Sequence, residues 1–469
     1  MINVIVDNEK LLDELNLVVK LFYTSQDIEE KNIDFVVKQT TSGIDIHTEC
    51  YSNITDARIV RDDKIRNKNF PDRFLKRYSK LALFDLLQTF FPDKILPWGS
   101  LTGIRPTKLY YELIKEFDGD YMKAMNELVD TFKVTPKKAQ LVKEIIKNQK
   151  NIIKNDNLVD LYVNIPFCPS KCYYCSFISA PIDKCRDQLE PYLDALIKEI
   201  NATKQLIEKK CYIVKSIYIG GGTPTILSAE QLDYLLSSIG YNVSEFTVEC
   251  GRPDTITKEK LDILSKHGVT RISINPQTFC NKTLKTIGRN HTSKDIIDAY
   301  KLALNYNFSI NMDLIAGLGG ETLTTFKKSL KKAIECYPDN ITVHTLSIKR
   351  GSELKTDGGD VSTVNSVEKM IEYSYPTLVD AGYKPYYMYK QKNMIGNLEN
   401  IGYFRDKVSI FNIDSMEEFA SIIACGANAI SKRFYSLNNK IERFANLKNI
   451  NEYITRIDEM IEKKNKLFE

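Results

Sequence analysis

Three cysteines near the middle of the chain have the spacing that most clearly suggests chemistry. Cys168, Cys172 and Cys175 lie in the segment LYVNIPFCPSKCYYCSF. The apolar residues at the start of this segment predict a strand, and Pro166 then forces the chain into a loop that carries the thiols. Such a loop can present three convergent sulfur atoms to a metal centre, but the neighbouring sequence supplies no fourth ligand.

The missing fourth ligand bears on which metal these cysteines would hold. Structural zinc prefers four protein ligands in a closed tetrahedron, and the four histidines of the chain lie far from the triplet in the sequence. Thiolates also suit iron–sulfur clusters, in which an iron atom without a protein ligand can bind a reactive molecule. The spacing favours such a cluster, while zinc, a disulfide and ordinary core cysteines remain alternatives.

Length and composition set the broad class of protein. With 469 residues, the chain can hold two or three domains and bury a sizeable core. Its 65 basic and 61 acidic residues nearly balance, which indicates no particular charged partner. No apolar run is long enough for a membrane helix, the chain does not start like a signal peptide, and its ten cysteines lack paired spacing. We therefore expect a cytoplasmic protein with no membrane span and no nucleic-acid partner.

Residues 1–155 predict a small accessory domain of mixed α+β and helical structure. Periodicity indicates a strand, a helix and two strands joined by a short turn, followed by several helices. Basic residues from Arg58 to Lys80 are interrupted by aspartates, which favours a solvated face over a nucleic-acid site. The segment GSLTGIRPTK can bind an anion through Arg105 and Lys108 near a helix start, although a turn that caps the helix is the simpler interpretation.

From residue 156 the pattern changes to alternating strands and helices. Regular βα units predict parallel strands with right-handed crossovers, and six units indicate an α/β fold with a partial (β/α)6 barrel rather than a closed barrel of eight. We assign residues 156–350 to this barrel and residues 351–469 to a helical C-terminal cap over the substrate. The predicted strands are Leu161–Ile165, Ser216–Gly220, Phe246–Glu249, Arg271–Asn275, Ile310–Ile315 and Ile341–Leu346.

Glycine and polar residues recur where the predicted strands end. The glycines of IGGGTPT can bring the backbone close to a ligand and expose amide groups to a carboxylate. Glu249 ends the third strand, and Asp313 lies inside the apolar fifth strand, where an unpaired carboxylate is costly. Gln277 and Arg289 follow the fourth strand. Because the carboxyl ends of parallel strands meet at one edge, these residues predict a binding site in which acids hold hydroxyls and Arg289 pairs with a carboxylate.

The order of these motifs resembles that of the radical SAM superfamily, whose members use S-adenosylmethionine (SAM). The segments LYVNIPFCPSKCYYC, IGGGTPT, FTVECGRPD, INPQTF, IGRNHT, MDLIAGLGGET and CGANAIS occur in the order seen in oxygen-independent coproporphyrinogen III dehydrogenases, and KPYYMYKQKNMIGNLENIGY resembles the HemZ-like branch. The resemblance implies that Cys168, Cys172 and Cys175 ligate a 4Fe–4S cluster. It also implies that SAM is bound by Tyr162, Tyr174, Gly221, Gly222, Thr223, Glu249, Gln277, Arg289, Asp313, Ser347 and Ile430.

The implied function is the oxygen-independent oxidative decarboxylation of two coproporphyrinogen III propionates to vinyl groups, which gives protoporphyrinogen IX. In the family, SAM is split to a 5′-deoxyadenosyl radical with an electron from a donor such as flavodoxin or ferredoxin. This chain has Asn164 and Phe177 where well-known members have a histidine and a fourth cysteine linked to a second SAM molecule. One SAM is therefore implied, and a second stays open.

Two other functions remain open from the sequence. Related haem chaperones carry an HNxxYW motif, in which this chain has Glu399 for histidine and Phe404 for tryptophan, and this difference argues against haem transfer. The second alternative is a radical SAM enzyme that acts on another tetrapyrrole. The run from Tyr383 to Lys392 has four tyrosines and three lysines, which we expect to contact a macrocycle and its propionates. The remaining cysteines lack cluster spacing, so we expect no auxiliary cluster.

Overall fold

A computed structural model of the protein describes the chain except for residues 1, 24–31, 67–70, 104, 178–179, 349–351, 353, 355–361, 391–393 and 438–439. Contacts divide the chain into two compact units, residues 1–143 and 144–469. The boundary lies within a helix, ahead of the predicted boundary at residue 155. Every helix among the described residues is too short or too polar to span a bilayer. Lys392, in the predicted substrate-binding run, lies outside the described residues.

The first unit packs helices against a four-stranded sheet. The strands lie in chain order, and the first pair is parallel while the other two pairs are antiparallel. They are β1 (Ile2–Val6), β2 (Ile33–Ser42), β3 (Asp45–Ser52) and β4 (Arg58–Lys64). The helices are α1 (Leu12–Phe22), α2 (Pro71–Phe90), α3 (Pro106–Glu116), α4 (Tyr121–Asp130) and α5 (Pro136–Gln149). The sequence analysis misses β4 because its residues, RIVRDDK, lack apolar alternation, so pairing with β3 decides its conformation.

The second unit is built on an open sheet of eleven strands. Six central parallel strands lie side by side in chain order, which confirms the predicted partial barrel. These are β5 (Leu158–Ile165), β8 (Ile213–Gly221), β9 (Glu245–Glu249), β10 (Arg271–Ser273), β11 (Ser309–Ala316) and β12 (Asn340–Thr345). A separate short pair, β6 (Phe167–Cys168) and β7 (Ala180–Pro181), lies between β5 and β8 in the chain. Between them run α6 (Leu189–Lys209), α7 (Ala229–Ile239), α8 (Lys258–Lys266), α9 (Asn281–Thr286), α10 (Ser293–Ala303) and α11 (Leu323–Cys336).

The C-terminal region contains the expected helices and also strands that extend the sheet at both edges. Its strands are β13 (Lys384–Tyr389) and β14 (Asn400–Phe404) beside β12, and β15 (Ser421–Cys425), β16 (Ile430–Tyr435) and β17 (Lys440–Ala445) beside β5. Its helices are α12 (Val364–Asp380), α13 (Ile410–Glu417), α14 (Ile450–Thr455) and α15 (Ile457–Phe468). The run SIIAC of β15 is buried throughout and pairs in parallel with β5. A short apolar run does not distinguish a strand from a helix by periodicity, so the sequence analysis does not predict β15.

Candidate active site

A cavity of about 350 Å³ in the second unit brings together most of the predicted site residues. Residues at the carboxyl ends of β8 and β9 and in the cysteine loop line this cavity. All three cysteines line it, and so do nine of the eleven predicted SAM-binding residues, namely Tyr174, Gly221, Gly222, Thr223, Glu249, Gln277, Arg289, Asp313 and Ser347. Its volume lies in the range of small-molecule sites, which is roughly 300–1,000 Å³.

The structure does not bring the other two, Tyr162 and Ile430, to the cavity wall. The ring of Tyr162 stacks on those of Tyr218 and Phe411, at centroid distances of 6.2 and 6.0 Å. Its hydroxyl donates to Asn164 Oδ1 at 3.0 Å, so Tyr162 orients the residue that replaces the family histidine. Ile430 begins β16 and is 45% exposed.

Backbone contacts hold the cysteine loop beside the segment that follows α9. The Tyr173 amide donates to the Ile287 carbonyl at 3.1 Å, and the Cys175 amide donates to the Cys172 carbonyl at 2.9 Å. All three cysteines are half-buried, and none forms a disulfide. The loop is thus closed on itself and anchored to a second segment, so the positions of its sulfur atoms are restricted.

Two glycines bring the turn after β8 against the cysteine loop. Gly221 has a φ of +112°, and a Cβ atom on it would lie 2.2 Å from Asn164 Oδ1. A Cβ atom on Gly222 would lie 2.9 Å from Cys168 Sγ. Only glycine therefore permits this approach of the backbone to the thiol. The Thr223 hydroxyl donates to the same sulfur at 3.5 Å.

Amide groups of this turn are already engaged within the protein. The Gly221 amide faces the carboxylate of Glu249 and lowers its pKa. The next two amides, of Gly222 and Thr223, donate to carbonyl groups at the end of β5 and in β6, at 2.8 and 2.7 Å. Because these amides already have acceptors within the protein, the turn can offer a ligand its carbonyl oxygens, which suit an ammonium group rather than a carboxylate.

The donor set fits an iron–sulfur cluster better than a single metal ion. Among the described residues, no three His, Cys, Asp or Glu side chains converge closely enough to hold one ion, as tetrahedral zinc requires. A cluster spreads its thiolates over different iron atoms. Burial raises the pKa of the Cys175 thiol to about 11, and the neighbouring Cys172 and Cys168 add to this rise. A thiolate at this position therefore needs a bound cation to stabilise it.

Two buried arginines lie beside the cysteine loop, and the sequence analysis identifies only Arg289. The Nη2 atom of Arg289 donates to the Tyr174 hydroxyl at 3.4 Å. The second arginine, Arg252, has its Nη1 atom 4.0 Å from Cys172 Sγ. Its position is set by two hydrogen bonds to Asp254, at 3.1 and 3.2 Å. The signal for Arg252 is present in the motif FTVECGRPD, directly after β9.

Five buried polar atoms of cavity-lining residues have no hydrogen-bond partner in the described part of the chain. They are Thr247 Oγ1, Arg271 Nε, Asn275 Oδ1, Gln277 Oε1 and Arg289 Nε. Such an atom costs about 1–3 kcal/mol when it stays unsatisfied. Gln277 also has a φ of +64°, a strained conformation for a residue other than glycine. Unsatisfied donors and acceptors together with local strain indicate a site that a polar ligand completes.

Two carboxylates in the cavity have pKa values shifted in opposite directions. Burial raises the pKa of Glu249 to about 7, although the Tyr218 hydroxyl, which donates to it at 2.5 Å, opposes this rise. Burial also raises the pKa of Asp313, but the His344 ring, 3.6 Å away, and a hydrogen bond from Asn311 at 2.8 Å more than offset this effect and leave the pKa below its usual value. Near neutral pH, Asp313 can therefore only accept hydrogen bonds, whereas the raised pKa of Glu249 keeps part of its carboxyl population protonated and able to donate.

We expect Glu249→Gln to stabilise the ligand-free protein at alkaline pH. A carboxyl group with a raised pKa in the folded state loses stability as the pH rises from its unfolded value, near 4.5, towards 7. The loss amounts to about 3 kcal/mol, because one pKa unit corresponds to about 1.4 kcal/mol. Urea unfolding of both proteins from about pH 4.5 to about pH 8 measures this difference.

The control for this experiment is Glu230→Gln, at an exposed position in α7. Its unfolding free energy should follow that of the unmodified protein at every pH. Parallel pH profiles for Glu249→Gln and the unmodified protein would show that Glu249 is not destabilised by burial.

The predicted substrate-binding run forms β13 and the residues beside it. Tyr386, Tyr387 and Tyr389 line the cavity, whereas the Tyr383 hydroxyl donates to the Pro338 carbonyl at 2.7 Å. The Tyr389 hydroxyl is 3.3 Å from Nδ1 of His344 on β12, the histidine that also contacts Asp313. Three of the four tyrosines are therefore available to a ligand, which was not evident from their spacing.

Comparisons with known proteins agree with this geometry. The family model of the Radical SAM superfamily matches residues 162–333. The oxygen-independent coproporphyrinogen-III oxidase-like protein HemZ of Bacillus subtilis is 35% identical over 490 aligned residues, which cover 99% of this chain and 97% of that protein. The haem chaperone HemW of the same organism is 37% identical over 201 residues, which cover 40% of this chain and 50% of the chaperone.

A solved structure shares the fold. Coproporphyrinogen III oxidase (HemN) from Escherichia coli has a TM-score of 0.52 and 22% sequence identity over 66% of this chain and 72% of that chain. Members of the radical SAM superfamily use a 4Fe–4S cluster and SAM, which confirms the predicted cofactors. Because the similarity to HemZ extends over both units, the chain belongs to the radical SAM superfamily and, within it, to the HemZ-like branch of the oxygen-independent coproporphyrinogen III oxidase family.

Proposed function

We propose that the protein converts two propionate groups of coproporphyrinogen III to vinyl groups by oxygen-independent oxidative decarboxylation, giving protoporphyrinogen IX. The observation that carries this proposal is the meeting of the cysteine loop, the glycine turn and two carboxylates in one cavity. The substrate class comes from the full-length similarity to HemZ. An electron donor such as flavodoxin or ferredoxin would reduce the cluster.

Within this proposal, Cys168, Cys172 and Cys175 hold the cluster. With SAM bound, such a cluster would supply the radical chemistry that hydrogen-atom abstraction from a propionate side chain requires. The positive charges of Arg252 and Arg289 stabilise thiolates in this loop, because each guanidinium stays charged even when buried. These two arginines also favour the binding of an anionic group near the cysteines.

The remaining cavity residues orient SAM. Carbonyl oxygens of the turn at Gly221 accept hydrogen bonds from its ammonium group, and Arg289 Nε is a free donor for its carboxylate. Asp313, which is charged at neutral pH, accepts from a ribose hydroxyl. Glu249 ends β9, which β10 separates from β11, the strand of Asp313. Its carboxyl group can share a proton with the second hydroxyl of the ribose. Phe177 lines the cavity at the position where well-known family members have the cysteine linked to a second SAM molecule. Because phenylalanine has no thiol, we propose one SAM molecule.

The tyrosines of β13 form the proposed substrate contact. Tyr386, Tyr387 and Tyr389 can pack against pyrrole rings, since an aromatic face gains contact area and stacking energy. The cavity volume of about 350 Å³ is small for a cofactor and a complete macrocycle together. The substrate therefore presents one propionate edge to the interior, and the rest of the macrocycle stays outside.

Anaerobic turnover tests this function directly. The reconstituted protein is incubated with SAM, a reductant and coproporphyrinogen III, and the product mass is measured. We expect the loss of two carboxyl groups as carbon dioxide, with 5′-deoxyadenosine formed in parallel. Reactions without SAM serve as controls. Steady SAM cleavage with unchanged coproporphyrinogen III would contradict the proposed substrate.

A haem-chaperone function is the second candidate, because HemW proteins align with part of the second unit. Glu399 replaces the histidine of the chaperone motif and is fully buried. The next residue, Asn400, accepts the Thr345 amide at 2.7 Å and begins β14, inside the sheet. A buried carboxylate at this position is poorly placed to ligate haem iron. Stoichiometric binding of added haem, by a protein that leaves coproporphyrinogen III unchanged in the turnover assay, would favour the chaperone function.

A further inference from the structure

The first unit contains a second cavity, of about 310 Å³, whose charged lining is predominantly basic. Residues of α2, the loop after Trp98 and the start of α3 line it. One acidic residue, Glu14, is among them. Six basic residues line the cavity, namely Arg73, Lys76, Arg77, Lys80, Arg105 and Lys108. The proposed haem chemistry of the second unit uses none of these residues.

Four of these cations come from one face of α2. Arg73, Lys76, Arg77 and Lys80 are spaced three and four residues apart, so their side chains project from the same side of the helix. Like charges at this spacing repel and destabilise a helix. Their concentration on the side that lines a cavity therefore indicates a function other than helix stability.

Carboxylates compensate only part of this charge. Arg73 and Arg77 share one carboxylate, Glu112, whose Oε2 atom is 3.7 Å from Arg77 Nη2. Lys80 Nζ is 3.1 Å from Glu14 Oε2. Glu116 also acts on the charge of Arg77, although it pairs with Arg66 at 3.2 Å. Three carboxylates thus face four cations of α2, which leaves a local surplus of positive charge.

Arg77 is held in a fixed position within this surplus. Its side chain is only 11% exposed, and its guanidinium carbon lies 5.0 Å from the ring centroid of Phe74 and 5.4 Å from that of Phe132. Burial, together with repulsion from Arg73, lowers the pKa of Arg77. A rigid guanidinium at a cavity wall is suited to bidentate recognition of an oxyanion.

Close contacts also hold Gly99 and Ser100, at the start of the loop that precedes α3. Gly99 has a φ of +50°, and a Cβ atom on it would lie 2.2 Å from the Phe132 carbonyl oxygen. The Ser100 hydroxyl donates to the same oxygen at 3.1 Å. The loop leads into α3, which begins with Pro106 and has no side-chain cap. The positive end of this helix adds to the attraction for an anion.

We propose that this cavity binds a small ligand with at least two phosphate groups, with Arg77 as the bidentate anchor and Lys76 and Lys80 as point charges. Apolar residues in the wall, Leu101 and Leu109 among them, leave room for an organic part, as in a nucleotide. The turn-and-cap interpretation of GSLTGIRPTK is thus incomplete, because the same segment forms one wall of a basic cavity.

The surroundings favour a small ligand over RNA. Nucleic-acid strands bind along extended basic grooves, whereas the neighbouring arginines outside the cavity are paired with acids. Arg58 pairs with Glu49 at 3.0 Å, and Arg66 pairs with Glu116 at 3.2 Å. The surplus charge of α2 therefore lies at a space of small-molecule size.

Titration of the full-length protein with inorganic pyrophosphate tests the proposal. Trp98, the only tryptophan of the chain, lies next to the cavity loop, so its fluorescence reports binding without interference from the probe. Isothermal calorimetry measures the dissociation constant independently. We expect saturable binding that Arg77→Gln weakens about tenfold or more, because a charge-assisted hydrogen bond contributes about 1.5–3 kcal/mol. Lys76→Gln, at a half-buried position, should also weaken pyrophosphate binding. This variant replaces Arg77→Gln in the test if Arg77→Gln does not fold.

The matched control is Arg58→Gln, which removes the same charge from a side chain that is 60% exposed. It should change pyrophosphate affinity less than about twofold. Inorganic phosphate should bind more weakly than pyrophosphate. The proposal is overturned if pyrophosphate does not bind, if Arg58→Gln weakens binding as much as Lys76→Gln, or if a short oligoribonucleotide binds more tightly than pyrophosphate.

Discussion

Replacement of Cys172 by alanine should abolish both cluster binding and reductive SAM cleavage. The loop offers three thiols and no spare ligand, so the loss of one leaves a cluster with two open corners. Removal of a group that merely supports a metal ligand costs about 10–100-fold, so loss of a ligand itself should exceed a hundredfold. Iron and sulfide analysis after anaerobic reconstitution measures the cluster, and 5′-deoxyadenosine formation measures the cleavage.

The control variant is Cys211→Ala, which removes an exposed cysteine that follows α6. It should retain the iron content and activity of the unmodified protein. The unmodified protein should bind no more iron than one cluster holds, because the remaining cysteines show no cluster spacing. A zinc-loaded, colourless protein with full activity would contradict the cluster assignment, and a higher iron content would reveal an auxiliary cluster.

Substitution of Gly221 by alanine should remove SAM binding and leave the protein folded. A side chain at a φ of +112° is strained, and its Cβ atom would overlap Asn164 Oδ1 at 2.2 Å. The strain costs about 1–3 kcal/mol, and the overlap must also displace the turn from the cysteine loop. A displacement of about 1 Å in a reactive site can cost a hundredfold in rate. Anaerobic calorimetry with SAM and thermal unfolding separate the binding defect from instability.

Gly268→Ala is the matched control for this prediction. Gly268 follows α8 with a φ of +72° and would place its Cβ atom in open space. This variant carries the backbone strain without the overlap, so it should lower stability and retain SAM affinity. Equal losses of SAM affinity in the two variants would show that the close approach of the turn to Asn164 is not what shapes the site.

Arg252 shows where local sequence signals are insufficient. Its motif, FTVECGRPD, is conspicuous, but a polar residue after a strand is usually a turn residue. Its nearness to Cys172, at 4.0 Å, depends on the packing of β9 beside the loop after β5. The basic cavity of the first unit is similar, because the cations of α2 belong to a helical face whose covering loop lies about 20 residues further along the chain.

The sequence by itself determined the elements whose signals are local. The six parallel strands, the cysteine loop after β5 and the glycine turn after β8 follow from apolar runs, from Pro166 and from glycines, all of which act within a few residues. Only the tertiary structure decided the charged strand β4, the buried strand β15 and the engagement of the turn amides by neighbouring carbonyls. Each of these depends on a partner distant in the chain, because a hydrogen bond between strands or a buried charge is satisfied by whichever segment folding places beside it.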